Sequence, residues 1–127
     1  MRLALDTNRY TDLCQGDSEV QHVLEQTEAI YLPFVVLAEL RAGFSVGTQG
    51  RVNERIMQRF LTKPGVHTLY ATDATTHAYA NLYRQLRGQG TPIPTNDLWI
   101  ASLVVEHNLV LYSRDDHFRR LPQLSIL

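Results

Sequence analysis

Leu3-Ala4-Leu5-Asp6-Thr7-Asn8 decides the fold. A short apolar run stops abruptly at an acid followed by turn and cap residues, which reads as a buried strand running straight into a helix start. The pattern recurs near the other end, where Leu109-Val110-Leu111-Tyr112 halts at Ser113-Arg114-Asp115-Asp116. Ile30-Tyr31-Leu32 is a third strand, and 66–70 and 124–127 are weaker ones. Helical spacing fills the intervals. Pro33 suits a first helical turn, followed by Val35, Val36, Glu39, Ala42 and Gly43 on one face. Val52, Ile56 and Phe60 mark a second helix, and Ala74, Ala78, Leu82 and Leu86 a third that ends near Gly88. Thr95 and Asn96 are candidate N-caps of an apolar helix through Trp99, Ile100, Leu103 and Val104 to Asn108. Strands alternating with helices predict a three-layer α/β domain with a central parallel sheet.

The 127 residues fit one domain, 1–127, and neither repeats nor linkers divide it. At 44% apolar and 20% charged the composition is globular, and the net charge of −1 gives no broad basic footprint for nucleic acid. A single cysteine, Cys14, excludes an intrachain disulfide and a multi-cysteine zinc site. No stretch approaches the roughly 20 apolar residues of a membrane span, and Asp6 interrupts any signal-peptide core. A cytoplasmic protein is the expectation.

Acids stand where they should not. Glu39 shares its helix face with Val35, Val36, Ala42 and Gly43, and Asp97 shares one with Ile100, Ala101 and Val104. Burying an unpaired carboxylate costs several kcal/mol, and Lys63 is the only lysine available to pair one. Asp6 and Asp115 directly follow strands, at the carboxyl edge where open α/β sheets bind ligands. Each has an ordinary reading as well. Asp6 and Asp115 suit helix caps and Asp97 suits a helix N-terminus, whereas Glu39, mid-helix, has neither excuse. Together, four carboxylates from four segments point to a hard divalent cation. The five histidines (His22, His67, His77, His107 and His117) show no metal-ligand spacing, and His117 beside Phe118 reads as packing or capping.

Leu5-Asp6-Thr7-Asn8, Leu37-Ala38-Glu39-Leu40-Arg41-Ala42-Gly43, Pro94-Thr95-Asn96-Asp97-Leu98-Trp99-Ile100-Ala101 and Leu111-Tyr112-Ser113-Arg114-Asp115-Asp116-His117-Phe118 resemble the four motifs of PIN-domain ribonucleases. The nearest likeness is to the VapC toxins of bacterial toxin–antitoxin pairs, and the motifs cover essentially the whole chain. The resemblance implies a five-stranded parallel sheet, a Mg²⁺ or Mn²⁺ site, and endonucleolytic hydrolysis of RNA that inhibits translation by cutting tRNA, rRNA or mRNA. It places the catalytic acids at Asp6, Glu39, Asp97 and Asp115, with metal on Asp6, Asp97 and Asp115. Asn8, Ser113 and Asp116 become residues that orient ligands or water. Asp115 is preferred to its neighbour Asp116 because it stands two residues after Ser113. A VapB-type antitoxin and a homodimer or toxin–antitoxin hetero-oligomer are the implied partners.

Arginine supplies eleven of the twelve basic residues and suits bidentate phosphate contacts. Arg9, Arg114, Arg119 and Arg120 adjoin the acidic motifs and are the candidates for RNA contact, while Arg51, Arg55 and Arg59 form a ridge readable as an ordinary solvated face. Phe34, Phe44 and Phe60 are candidates for an antitoxin groove, and Tyr79 and Tyr83 for a dimer surface or the core. With the four acids set aside, the net −1 becomes +3 for the remainder. A signalling receiver is the main rival. It wants paired acids after its first strand and a late lysine, against a lone Asp6 and a mid-chain Lys63. Dinucleotide binding lacks its Gly-rich turn. A catalytically silent RNA- or protein-binding PIN module and a DNA-cutting enzyme remain as alternatives.

Overall fold

The computed structural model describes residues Met1–Leu127. In chain order the elements are β1 (Arg2–Leu5), α1 (Thr7–Cys14), α2 (Ser18–Glu25), β2 (Ala29–Pro33), α3 (Phe34–Val46), α4 (Gly50–Leu61), β3 (Val66–Leu69), α5 (Asp73–Gln89), α6 (Thr95–His107), β4 (Val110–Tyr112) and β5 (Ser125–Ile126). A 3₁₀ turn, Asp116–Arg120, lies between the last two strands. All five strands are parallel in the order β3-β2-β1-β4-β5. Parallel neighbours cannot be joined by hairpins, so helices provide the crossovers.

The order reverses at β1, which lies between β2 and β4, so a crevice opens past the carboxyl ends of β1 and β4. Register makes the crevice specific. Leu5 pairs with Tyr112, and the next residues along, Asp6 and Ser113, emerge side by side. Leu3, Ala4, Leu5, Leu32, Val36, Ile100, Leu111 and Phe118 are fully buried and anchor the strands and helices that frame it. No helix is long and apolar enough to cross a membrane.

Local chemistry departs from expectation at several points. Helix α2 is an addition to the expected elements: it buries Val20 and Leu24, and Asp17, whose carboxylate accepts from Val20 N at 3.0 Å, caps it. Pro33 and Pro94 are the N-cap residues of α3 and α6, placing Thr95 and Asn96 inside the first turn of α6 instead of at its cap. Proline needs no partner for an N–H it lacks, and its fixed φ leads into the helix. On α4 the buried residues are Met57 and Phe60, while Val52 and Ile56 are 46% and 44% exposed, so the expected stripe is only partly inward. Ala42 and Gly43 are exposed, and α3 buries Val35, Val36, Leu37 and Leu40. On α5, Thr75, not Ala74, opens the buried face. The left-handed Gly90 closes this helix two residues later than Gly88.

Candidate active site

Asp6 is the hub of the crevice. It is 5% exposed and its backbone N–H donates to Tyr112 O, tying the end of β1 to β4. Its Oδ1 accepts from Thr7 N at 2.8 Å, capping α1, and its Oδ2 accepts from Ser113 Oγ at 2.6 Å. The helix cap expected of Asp6 is realised, in a side chain that also lies at the crevice. Ser113 also accepts from Asp115 N at 3.0 Å, so one hydroxyl links two acids.

Asp97 and Asp115 approach from other elements. Asp97, on the first turn of α6, and Asp115, which caps the 3₁₀ turn by accepting from His117 N at 2.9 Å, converge on one imidazole. His117 Nδ1 lies 2.8 Å from Asp97 Oδ2 and 3.1 Å from Asp115 Oδ1. Phe118, with no exposure, fixes the turn that presents His117. Sequence alone read His117 as packing or capping, because its contact with the two acids is spatial, not sequential; its one sequence signal is its place within the last acidic motif.

Glu39 reaches the crevice from α3, where its Oε1 accepts from Thr7 Oγ1 at 2.8 Å. It is half-buried, less sunk than its apolar neighbours Val35 and Val36 imply. Asp116 points away: its side chain is 94% exposed and lies 3.5 Å from Arg119, so the structure does not bring it to the acids. Asn8 is exposed and takes no part in these hydrogen bonds. Arg120 donates to Pro92 O. Arg9 is folded inward, with its guanidinium 4.5 Å over the Tyr112 ring and 3.4 Å from Asp12.

The electrostatics match this crowding. Burial pushes the Asp6 carboxyl above its usual range, opposed by the bonds from Ser113 and Thr7 and reinforced by Asp115. Burial likewise raises Asp97, against the hydrogen bond with His117, and the charges of Asp115 and Asp6 add to the rise. Clustered acids whose ionised forms are disfavoured are a site a cation would relieve. The donor set fits one: ligand atoms of Asp97, Asp115 and His117 lie within 4.8 Å of one another, about the span of two opposite ligands around a hard divalent ion. Asp6 and Glu39 stand outside that group. Lys63, which a receiver would need at this edge, precedes β3 and sits at the opposite end of the sheet.

Away from the crevice, two adjoining grooves share Tyr10, Cys14 and Ile56; Leu40 and Phe44 line one and Phe60 the other. Phe34 is not part of them, since it packs edge-on to Trp99 at 6.2 Å. Tyr79 lies 4.4 Å from Trp99, whereas Tyr83 is 50% exposed.

The PIN-domain family model matches residues 3–124. Ribonuclease VapC1 of Haemophilus influenzae is 30% identical over 77% of this chain and 72% of its own length. Ribonuclease VapC2 of Rickettsia felis is 29% identical over 94% of this chain and 86% of its own. The crystal structure of VapBC2 from Rickettsia felis, bound to a DNA fragment from its promoter, superimposes with a TM-score of 0.88 at 27% identity, covering 100% of this chain and 98% of that one.

Proposed function

Because the chain belongs to the PIN-domain family, and within it to the VapC ribonucleases, we propose that it is a divalent-metal-dependent endoribonuclease serving as the toxin of a toxin–antitoxin pair. The observation that carries this reading is the convergence of Asp6, Asp97 and Asp115, from three separate segments, on the switch-point crevice of the sheet. Asp6, Asp97 and Asp115 would hold Mg²⁺ or Mn²⁺. When bound, the ion supplies a more acidic water and offsets charge on the attacked phosphate.

The chain's own groups do the rest. Ser113 holds Asp6 by one oxygen and Thr7 N–H holds the other, so the carboxylate is fixed before substrate arrives. His117 sets the facing angles of Asp97 and Asp115. Thr7 donates to one Glu39 oxygen, which leaves the other free to accept the proton of an attacking water. No side-chain nucleophile is needed: Cys14 is exposed on the far end of α1. The expected products are those of phosphodiester hydrolysis in tRNA, rRNA or mRNA, with arrest of translation.

The solved VapBC complexes support a VapB-type antitoxin as partner. The grooves around Tyr10, Cys14, Phe44 and Phe60, lined also by the exposed Ile56 on α4, offer it an apolar surface. The test is incubation of purified, partner-free protein with total RNA and with single-stranded DNA, in Mg²⁺ or EDTA, beside Asp97→Asn. Metal-dependent RNA cuts lost in the variant support the reading. DNA cuts alone would assign a deoxyribonuclease, and binding without cutting would assign a silent module.

A further inference from the structure

Resting on the ribonuclease reading above, we infer that Asp12 is a positioning residue for substrate: it holds Arg114 at the rim of the acidic crevice as a fixed grip for an RNA phosphate. Asp12 lies on the last turn of α1 and is 14% exposed. Its two carboxylate oxygens accept from Arg114 Nε and Nη2, both at 3.1 Å, the parallel fork that fixes a guanidinium in plane and direction. Arg9, sandwiched between Tyr112 and Asp12, backs the same carboxylate at 3.4 Å. The hydrogen bond from Arg114, first among several contacts, holds the Asp12 carboxyl below its usual range, so it stays charged.

The fork joins α1 to the segment carrying Ser113 and Asp115, and it spends only one edge of the guanidinium. The Arg114 side chain is 53% exposed, and its Nη1 edge makes no hydrogen bond with the protein. Its charge is close enough to pull against the raised Asp6 carboxyl. Released from Asp12, a flexible arginine beside four acids would fold onto them and compete with a metal ion. Held by Asp12, it faces outward next to the scissile site. The other arginines near the motifs are differently used: Arg119 lies on exposed Asp116 and Arg120 on Pro92 O.

The test compares wild type, Asp12→Asn, Asp12→Glu, Arg114→Ala and the Asp12→Asn/Arg114→Ala double variant. A labelled single-stranded RNA is cleaved in Mn²⁺ across a KCl series, and its binding is followed by anisotropy in EDTA. Asp12→Asn is expected to raise KM about tenfold with kcat within about twofold, and to flatten the salt dependence by about one contact, as Arg114→Ala does. The double variant should be no worse than Arg114→Ala, and Asp12→Glu should recover part of the affinity. Tighter RNA binding with steeper salt dependence in Asp12→Asn would overturn the proposal, since Asp12 would then merely mask a charge. So would additive losses, or a fall in thermal stability and kcat with KM unchanged. A wild type that cuts no RNA defeats the ribonuclease reading, while the anisotropy series still decides the coupling of Asp12 to Arg114.

Discussion

His117 Nδ1 and Asp97 Oδ2 are 2.8 Å apart, joining the turn after β4 to the first turn of α6. Asp115 Oδ1 shares the same nitrogen at 3.1 Å. An imidazole held by two proposed ligands acts as the partner that orients them, and losing such partners typically costs about 10- to 100-fold in metal affinity or activity. His117→Ala should therefore lower kcat/KM for RNA by roughly that factor. His117→Asn, which can still donate a hydrogen bond, should lower it less. Equal activity in all three proteins would leave His117 a capping residue only.

Burial raises the pKa of the Asp6 carboxyl, and the Ser113 hydroxyl opposes that rise by favouring the charged carboxylate. Ser113→Ala should raise it further, so the acid limb of the pH–rate profile moves to higher pH. Metal competes with the proton for the same oxygens. Raising Mn²⁺ should consequently shift the acid limb to lower pH in wild type and variant alike. A limb unmoved by metal would separate Asp6 from the metal site.

Asp97 should trade stability for function. Its pKa is raised on folding, so the folded protein binds that proton more tightly than the unfolded chain does. The destabilisation it causes is fully present above the raised value and is relieved as the pH falls through it toward the ordinary value of 3.8. At neutral pH, Asp97→Asn should leave the melting temperature of metal-free protein equal or higher. The same variant should abolish the stabilisation that added Mn²⁺ gives wild type. Calorimetric melting with and without Mn²⁺ reads both effects.

Much of the fold was legible because strands here end on acids and turn residues: the runs from Leu3 to Asp6 and from Leu109 to Asp115 mark the crevice in the sequence itself. The acids on apolar helix faces stood out as well, although in the structure Glu39 and Asp97 are half-buried and partnered by Thr7 and His117. What escaped detection depended on distance in space. His117 belongs to the acids only because the turn after β4 folds back over α6. Asp12 looks like an unremarkable acid on α1 until Arg114 is seen to arrive from 102 residues away. The register that sets Ser113 against Asp6 decides between the adjacent acids: Asp115 turns in toward Asp97, and Asp116 is left in solvent beside Arg119.

Phe118 carries the mechanical side of the site. It has no exposure and anchors the turn that bears Asp115 and His117. Phe118→Ala should cost about 3–5 kcal/mol in denaturant unfolding, and activity should fall even where the protein remains folded. A loss of stability with cleavage intact would show that the turn holds its geometry without that anchor.

The central claim is tested most directly by the rate of RNA cleavage in Mg²⁺ for wild type, Asp115→Asn and Asp116→Asn, each with and without excess EDTA. The account predicts that wild type and Asp116→Asn cut at comparable rates, that Asp115→Asn loses at least about 100-fold, and that EDTA stops all cutting until Mg²⁺ is restored. Cleavage that persists in EDTA, or an active Asp115→Asn beside an inactive Asp116→Asn, would contradict it.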